Sequence, residues 1–193
     1  MEKLFDTSKM FYDRLLKSMF SYLPKRAINK IIDAGSGKVS ASILLKYFPQ
    51  ATVDAIIHPG DNRKKNPLES NIGSERLEIV EADICKNCFR KQYDLCLVHL
   101  TLGEALNFGN SFESLFGSVM SIRSQYFVVV DVLDDPSVHF RYMEAFWKER
   151  GYKVLKKKVF VNPHPEHYPK VKYDKYKLEY DDKHYVGYIL KKI

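Results

Sequence analysis

The sequence predicts an α/β fold, a doubly wound and mostly parallel sheet with helices on both faces. Five short apolar segments alternate with helical patterns or long connections, as expected for parallel strands joined by crossovers. A glycine turn follows the first of these segments. The last two strands have no helical pattern between them, which is typical of an antiparallel pair. A chain of 193 residues suffices for one domain and is short for two, so we expect a single domain over residues 1–193.

The first half of the chain shows a helical pattern, a strand, a second helix and two further strands. Apolar side chains at helical spacing predict the N-terminal helix, which Pro24 ends. Polar residues and turn formers over 58–75 predict a loop with at most one short helix. The predicted bounds are helix 7–22 within an N-terminal helical segment 1–27, strand 28–33, helix 38–47, strand 51–57 and strand 77–81.

The second half contains the clearest buried strand of the chain, Tyr-Phe-Val-Val-Val-Asp over 126–131. Gly151 follows a helical pattern at the position of a C-terminal cap. The predicted bounds are strand 93–98, helix 112–123, strand 126–131, helix 138–150, strand 152–161 and strand 185–190, which brings the total to seven strands. Residues 162–182 form a basic connection, rich in Tyr and Lys, between strands six and seven.

Charge and cysteine content restrict the class of protein. The net charge is +7, and residues 151–193 contribute most of it, with 11 lysines against 5 acids. No stretch has the ~18 apolar residues that a membrane span requires. Acids near the N-terminus do not fit a secretory signal, and three cysteines do not form an even disulfide framework. We therefore expect a cytoplasmic protein without membrane attachment.

The segment Asp33-Ala34-Gly35-Ser36-Gly37 places a carboxylate at the tip of the first strand and glycines in the turn after it. Glycine allows a ligand to approach the backbone closely. The helix that follows offers free N–H groups and a partial positive charge. An acid beside such donors suits a ligand that carries both an ammonium group and a carboxylate.

This segment resembles the first motif of class I S-adenosylmethionine (SAM)-dependent methyltransferases, and the order of elements is similar over nearly the whole chain. The resemblance implies strand order 3-2-1-4-5-7-6 with strand 7 antiparallel, SAM as cofactor, and methyl transfer as the activity. It also implies that Asp33, Gly35, Ser36 and Gly37 lie at the methionine part of SAM.

The resemblance extends to two later strand ends. Glu81-Ala82-Asp83-Ile84 is similar to the segment that binds adenine, which implies that Asp83 accepts from the exocyclic amine and Ile84 packs on the ring. Tyr93 to Leu100 resembles the fourth-strand motif, which implies that His99 and Leu100 lie at the cofactor rim. His99 and Glu104 are the candidates for a general base.

The sequence departs from the family pattern at two positions. Val39 stands where the third glycine usually lies, and Ile56 and Ile57 stand where an acid usually binds the ribose hydroxyls. Asp54 is a candidate cofactor-binding residue in place of this acid, two residues early and on the same face as Ile56 by alternation. His58 and Asp61 are the other candidates. These departures leave a non-catalytic binding or scaffold protein as an alternative. The spacing from Gly35 to Asp54 also leaves a nicotinamide-dependent oxidoreductase.

Two further patterns resemble metal or redox sites but lack the ligands or the helix that such sites need. Cys85 and Cys88 have CxxC spacing, but only Cys96 remains to complete a zinc site of four ligands. His164, Glu166 and His167 lie among three prolines, which exclude the helix that HExxH ligation uses. We therefore expect no metal.

The methyl acceptor is not evident from the sequence and is a small molecule, a protein or RNA. Lysines that alternate with tyrosines favour RNA, because lysines neutralise phosphates and tyrosines stack on bases. The alternative is a β-ribbon with a solvated lysine face. Phe11 and Tyr12 of the first helix either cover the cofactor or pack on the sheet. The lysine and tyrosine positions are Lys170, Lys172, Tyr173, Lys175, Tyr176 and Lys177.

Overall fold

A computed structural model shows the arrangement of these elements. It describes residues 2–36, 38–59, 74–86, 89–99, 112–132, 144–145, 147–161, 172–173, 178–179 and 184–193. Several residues predicted to be functional lie outside the described residues: Gly37, Asp61, Cys88, Leu100, Glu104, His164, Glu166, His167, Lys170, Lys175, Tyr176 and Lys177, together with the side chains of Lys172 and Tyr173. No helix among the described residues is long and apolar enough to cross a bilayer.

Seven strands form one sheet in the order β3-β2-β1-β4-β5-β9-β6. Neighbours from β3 to β5 pair in parallel, whereas β9 is antiparallel to both β5 and β6. The predicted fold class and strand order are therefore confirmed, with β9 as the seventh strand of the prediction. The strands are β1 Lys30–Ala34, β2 Thr52–Ile57, β3 Leu77–Glu81, β4 Gln92–His99, β5 Arg123–Val132, β6 Tyr152–Val161 and β9 His184–Lys192.

The connection between β6 and β9 contains an antiparallel ribbon. It pairs β7, Lys172–Tyr173, with β8, Leu178–Glu179. The ribbon adds two short strands to the seven that were predicted. This pairing agrees with the β-ribbon that was one of the two interpretations of the connection.

In the described part of the chain, three α-helices flank the sheet: α1 Glu2–Phe20, α2 Lys38–Tyr47 and α3 Phe112–Ser121. Helix α1 begins five residues before its predicted start. Residues 144–145 and 147–149 are also helical, and Gly151 follows them with φ of 76°, which agrees with its predicted role as a cap. Strand β1 begins later than predicted, because Asn29 and Lys30 donate their N–H groups to the Asp94 carboxylate.

The two faces of the sheet carry two cores, which follow from the alternation of side chains along each strand. On one face, here the α1 face, Ile31, Val53 and Leu97 pack with side chains of α1 and α2. On the other, here the α3 face, Ile32 and Val98 pack with Val119 of α3 and Trp147. Central strands are buried on both sides, as expected for parallel strands between helical layers.

Candidate functional site

The glycine turn lies at the carboxyl end of β1, between the ends of β2 and β4. Ala34, the last residue of β1, pairs with Ile56 on one side and Val98 on the other. Gly35 has φ of 81°, a left-handed conformation that favours glycine. The Ser36 N–H donates to the Ile56 carbonyl oxygen at 2.7 Å, which ties the turn to β2. The turn is therefore fixed in position before any ligand binds.

Asp33 is fully buried and faces α2. One oxygen of its carboxylate accepts from the Ser36 hydroxyl at 2.6 Å and from the Ser40 hydroxyl at 2.7 Å. Such short O–H···O bonds are typical of an ionised acceptor and are about twice as strong as neutral ones. The carboxylate thus joins the end of β1, the turn and the first turn of α2. The sequence indicated the acid, but it did not reveal Ser40 as its partner.

Ser36 and Val39 have internal roles in this turn. Both hydrogen-bond donors of Ser36 are bound within the protein, to Ile56 and to Asp33. Val39, at the position of the usual third glycine, is half-buried and packs against the core of the α1 face. The side chain of Val39 therefore fills the space between helix and sheet that a glycine would leave open.

The second strand ends in apolar residues followed by a histidine. Ile56 and Ile57 are buried in the core, and the Ile57 carbonyl accepts the Ala82 N–H at 2.9 Å, which joins the ends of β2 and β3. His58 comes next, with its Nδ1 3.0 Å from the Pro59 carbonyl oxygen. His58 therefore lies at the strand end where the resemblance expects an acid.

Asp83 and Ile84 lie just beyond β3. One Asp83 oxygen accepts the Cys85 N–H at 2.9 Å, and the other is 2.9 Å from the Lys86 ammonium. The hydrogen bond from Lys86 is the main reason that the pKa of Asp83 lies below its ordinary value, and the Cys85 N–H and the charge of His58 lower it further. Ile84 is buried in the core of the α3 face. A charged acceptor thus lies beside an apolar surface, which suits an adenine ring.

The cysteine of this segment has the properties of a structural residue. Burial, followed by the charge of Asp83, raises the pKa of the Cys85 thiol, which disfavours the reactive thiolate. Within the described part of the chain, no group of three or more His, Cys, Asp or Glu residues could hold a metal ion.

His99 ends β4 and lies under the aromatic residues of α1. Its ring meets Tyr12 edge-on with centroids 5.0 Å apart, and the Tyr12 hydroxyl lies 3.3 Å from that of Tyr185 on β9. The residue is partly exposed, but its Nε2 is buried, and burial lowers the pKa of His99 to about 4. Phe11 packs on Tyr185 with ring centroids 5.3 Å apart. Helix α1 therefore covers the sheet where β4 and β5 end.

Asp54 is directed away from this edge of the sheet. Its carboxylate accepts from the Tyr93 hydroxyl at 2.7 Å and from the Lys91 ammonium at 3.0 Å. It lies on the α3 face with Ile56, as alternation predicted, whereas Asp33 lies on the α1 face. Asp54 lines a cleft of about 450 Å³ at the amino ends of the strands. We therefore leave Asp54 out of the proposed site.

The described site residues thus meet at one edge of the sheet, apart from Asp54. Asp33 lies near the end of β1, Gly35 and Ser36 follow that strand, Asp83 and Ile84 follow β3, and His99 ends β4. These strands lie in the order β3-β2-β1-β4, and ligands of doubly wound sheets bind at the carboxyl ends of such strands.

No protein-family model matches the sequence, and no curated protein sequence matches it. Solved structures are similar. The putative RNA methyltransferase PH1948 from Pyrococcus horikoshii has a TM-score of 0.66 at 17% identity, over 93% of this chain and 82% of that one. N-methyltransferase NodS from Bradyrhizobium japonicum, solved with S-adenosyl-L-homocysteine (SAH), has a TM-score of 0.63 at 10% identity, over 96% and 87%. An rRNA methylase from Escherichia coli has a TM-score of 0.59 at 14% identity, over 94% and 63%.

These similarities and the strand order define the fold as that of the class I SAM-dependent methyltransferases. The names of these structural neighbours differ in the kind of methyltransferase, since they are a putative RNA methyltransferase, an rRNA methylase and an N-methyltransferase. At 10–17% identity, the similarity concerns the fold.

Proposed function

We propose that the protein is a SAM-dependent methyltransferase whose cofactor binds across the carboxyl ends of β1 to β4. The observation that carries this proposal is the glycine turn, which Asp33, Ser36 and Ser40 fix at the start of α2. A turn held in this way provides bare backbone and a helix N-terminus at the place where strand ends converge. These are features that a bound methionine group requires.

The residues along this edge suit the different parts of SAM. The first turn of α2 has N–H groups without helical partners, and its positive end suits the carboxylate of the methionine part. We assign Asp33 the role of holding Gly35 and the start of α2 in place. Asp83 retains acceptor capacity for the adenine amine, because an ionised carboxylate accepts at about four lone-pair sites. His58 stands beside the ribose position.

When bound, SAM supplies an electrophilic methyl group on a sulfonium, so the protein needs mainly to align the acceptor and exclude water. His99 with a pKa of about 4 is neutral at pH 7. A neutral imidazole at this edge does not repel the positive sulfonium. It is also a weak general base, since bases work best when their pKa is near the working pH. We therefore propose that His99, together with Tyr12, orients the acceptor.

Calorimetry with SAH tests the cofactor site. Asp33→Asn removes the charge that holds the turn and should weaken SAH binding at least tenfold. The matched control is Asp54→Asn, because Asp54 is also a buried acid on a neighbouring strand but faces the opposite side of the sheet. Loss of binding in the first variant alone supports the site. Equal affinities in both variants and the wild type would refute it.

The same experiments separate the alternatives. A protein that binds SAH but transfers no methyl group to small molecules, proteins or RNA would be the non-catalytic binding protein, which the apolar end of β2 favours. The nicotinamide alternative depended on Asp54 as the ribose ligand. The partners of Asp54 remove that support.

A further inference from the structure

A row of lysine side chains on β6 lies against α1 and the turn that follows it. The row exists because of a β-bulge. Val154 pairs with Leu190 and Lys156 with Ile189, so Leu155 is an extra residue on β6. Val154 faces the α3 face, and the extra residue turns Lys156 and Lys158 to the α1 face. We call the following set the basic seam: Ser18, Tyr22, Lys156, Lys158 and Lys191.

The lysines of the basic seam are positioned by neutral groups. The Lys158 ammonium donates to the Ser18 hydroxyl at 2.7 Å. Lys158 and Lys156 lie 4.9 Å and 5.2 Å from the centre of the Tyr22 ring, which is 44% exposed. Lys191 extends the row on β9, where it lies over the Tyr126 ring.

Among the described residues, no carboxylate lies within salt-bridge distance of Lys156 or Lys158. Lys157, which points to the opposite face, is 3.3 Å from Glu144. Alternation places Lys157, which pairs with Glu144, on the face opposite to Lys156 and Lys158, and the bulge determines which face each of them takes. A strip of positive charge with an aromatic side chain beside it suits a polyanion.

The basic seam leads to the candidate site. Lys158 pairs with Gly187 of β9, which in turn pairs with Val130 of β5. Val130 lies two residues before the carboxyl end of β5. Two residues beyond Lys158 and on the same face, Phe160 pairs with Tyr185, whose hydroxyl lies 3.3 Å from that of Tyr12, and Tyr12 contacts His99. A ligand lying along the seam would thus reach the edge where methyl transfer is proposed.

We propose that the basic seam binds single-stranded RNA as the methyl acceptor, with Lys156 and Lys158 at successive backbone phosphates. This inference rests on the proposed function and names its substrate class. Strand geometry sets Lys156 and Lys158 ~7 Å apart in a straight row, which matches a linear polyanion. Tyr22 provides an aromatic face at the same place, and stacking on it needs no particular base.

Salt titration of RNA binding tests the seam. The probe is a fluorescent, mixed-sequence single-stranded RNA, titrated between about 50 and 200 mM salt. Each phosphate contact contributes about 0.7 to the slope of log K against log[salt], so Lys156→Ala with Lys158→Ala should reduce the slope by about 1.4. The matched control replaces the exposed Lys46 and Lys148 and changes the net charge equally. The control should retain the wild-type slope.

Three results would overturn the proposal. The first is RNA affinity of the wild-type protein that does not change with salt, and the second is a control variant that loses as much slope as the seam variant. The third is a seam variant that keeps its affinity for RNA and loses only binding to phosphatidylglycerol vesicles. SAH calorimetry on the same samples distinguishes this failure from failure of the cofactor site. The seam variant should bind SAH like the wild type, since both changes lie on the edge strand β6, away from the glycine turn. Circular dichroism checks that both double variants are folded.

Discussion

The buried imidazole of His99 makes a definite contribution to the pH dependence of stability. Burial lowers its pKa in the folded protein from the ordinary 6.5 to about 4. The unfolded chain therefore binds the proton more tightly than the folded protein. The full stability is present above pH 6.5 and is lost progressively as the pH falls toward 4.

The size of this loss follows from linkage between the two pKa values. At pH 5, an exposed histidine is almost fully protonated, whereas His99 in the folded protein is about nine-tenths neutral. Proton binding then favours the unfolded state by about 2 kcal/mol, compared with about 0.2 kcal/mol at pH 7. Between pH 7 and pH 5, His99 should thus lower the free energy of unfolding by about 1.8 kcal/mol.

Urea unfolding at pH 7, 6 and 5 measures this loss in the wild type and in His99→Gln, which does not titrate. The difference between the two pH profiles isolates His99, because all other groups titrate in both proteins. An NMR titration of the His99 ring provides an independent check. Parallel pH profiles, or an NMR midpoint close to 6.5, would refute the burial of the imidazole and its neutral role in the site.

Two further predictions concern the turn and the cap. Ser40→Ala should lower the free energy of unfolding by about 2 kcal/mol, because the Ser40 hydroxyl donates to a carboxylate. Ser124 is equally buried, but its hydroxyl donates to a backbone carbonyl, so Ser124→Ala should lower the free energy of unfolding by about 1 kcal/mol. Equal losses in urea unfolding would argue against an ionised Asp33. Gly151→Ala should lower Tm by about 3–6 °C, because φ of 76° is strained for alanine while the added Cβ has open space. Gly151→Asn should recover part of this loss in calorimetric scans, and no recovery would point to a cause other than backbone conformation.

Much of the fold was predictable because the residues that mark each strand or helix lie within that segment or next to it. The strand bounds 77–81 and 152–161 and the helix bounds 38–47 agree with the structure, since Pro, Gly and alternation mark their ends locally. The start of β1 was predicted two residues early. Ile28 is buried like a strand residue, but Asp94, far away in sequence, binds the backbone that follows it.

The candidate site was predictable only in part. Gly35 and its left-handed turn could be expected from the motif, as could the placement of His99 at a strand end. The partners of Asp54 could not, because Tyr93 and Lys91 are 39 and 37 residues away in sequence. In the sequence, a carboxylate within a strand looks the same whether it binds a ligand at the strand end or a side chain of another strand.

The sequence by itself determined which segments form strands and helices and where the glycine turn falls, because hydrophobic periodicity and turn chemistry act over a few residues. The tertiary structure decided which acids meet which donors and which lysines share a face. Asp33 and Asp54 lie on opposite faces of the sheet, and the bulge at Leu155 decides that Lys156 lies on the α1 face and Lys157 on the α3 face. Such differences arise from strand pairing between distant segments, and a shift of one residue moves every following side chain to the other face.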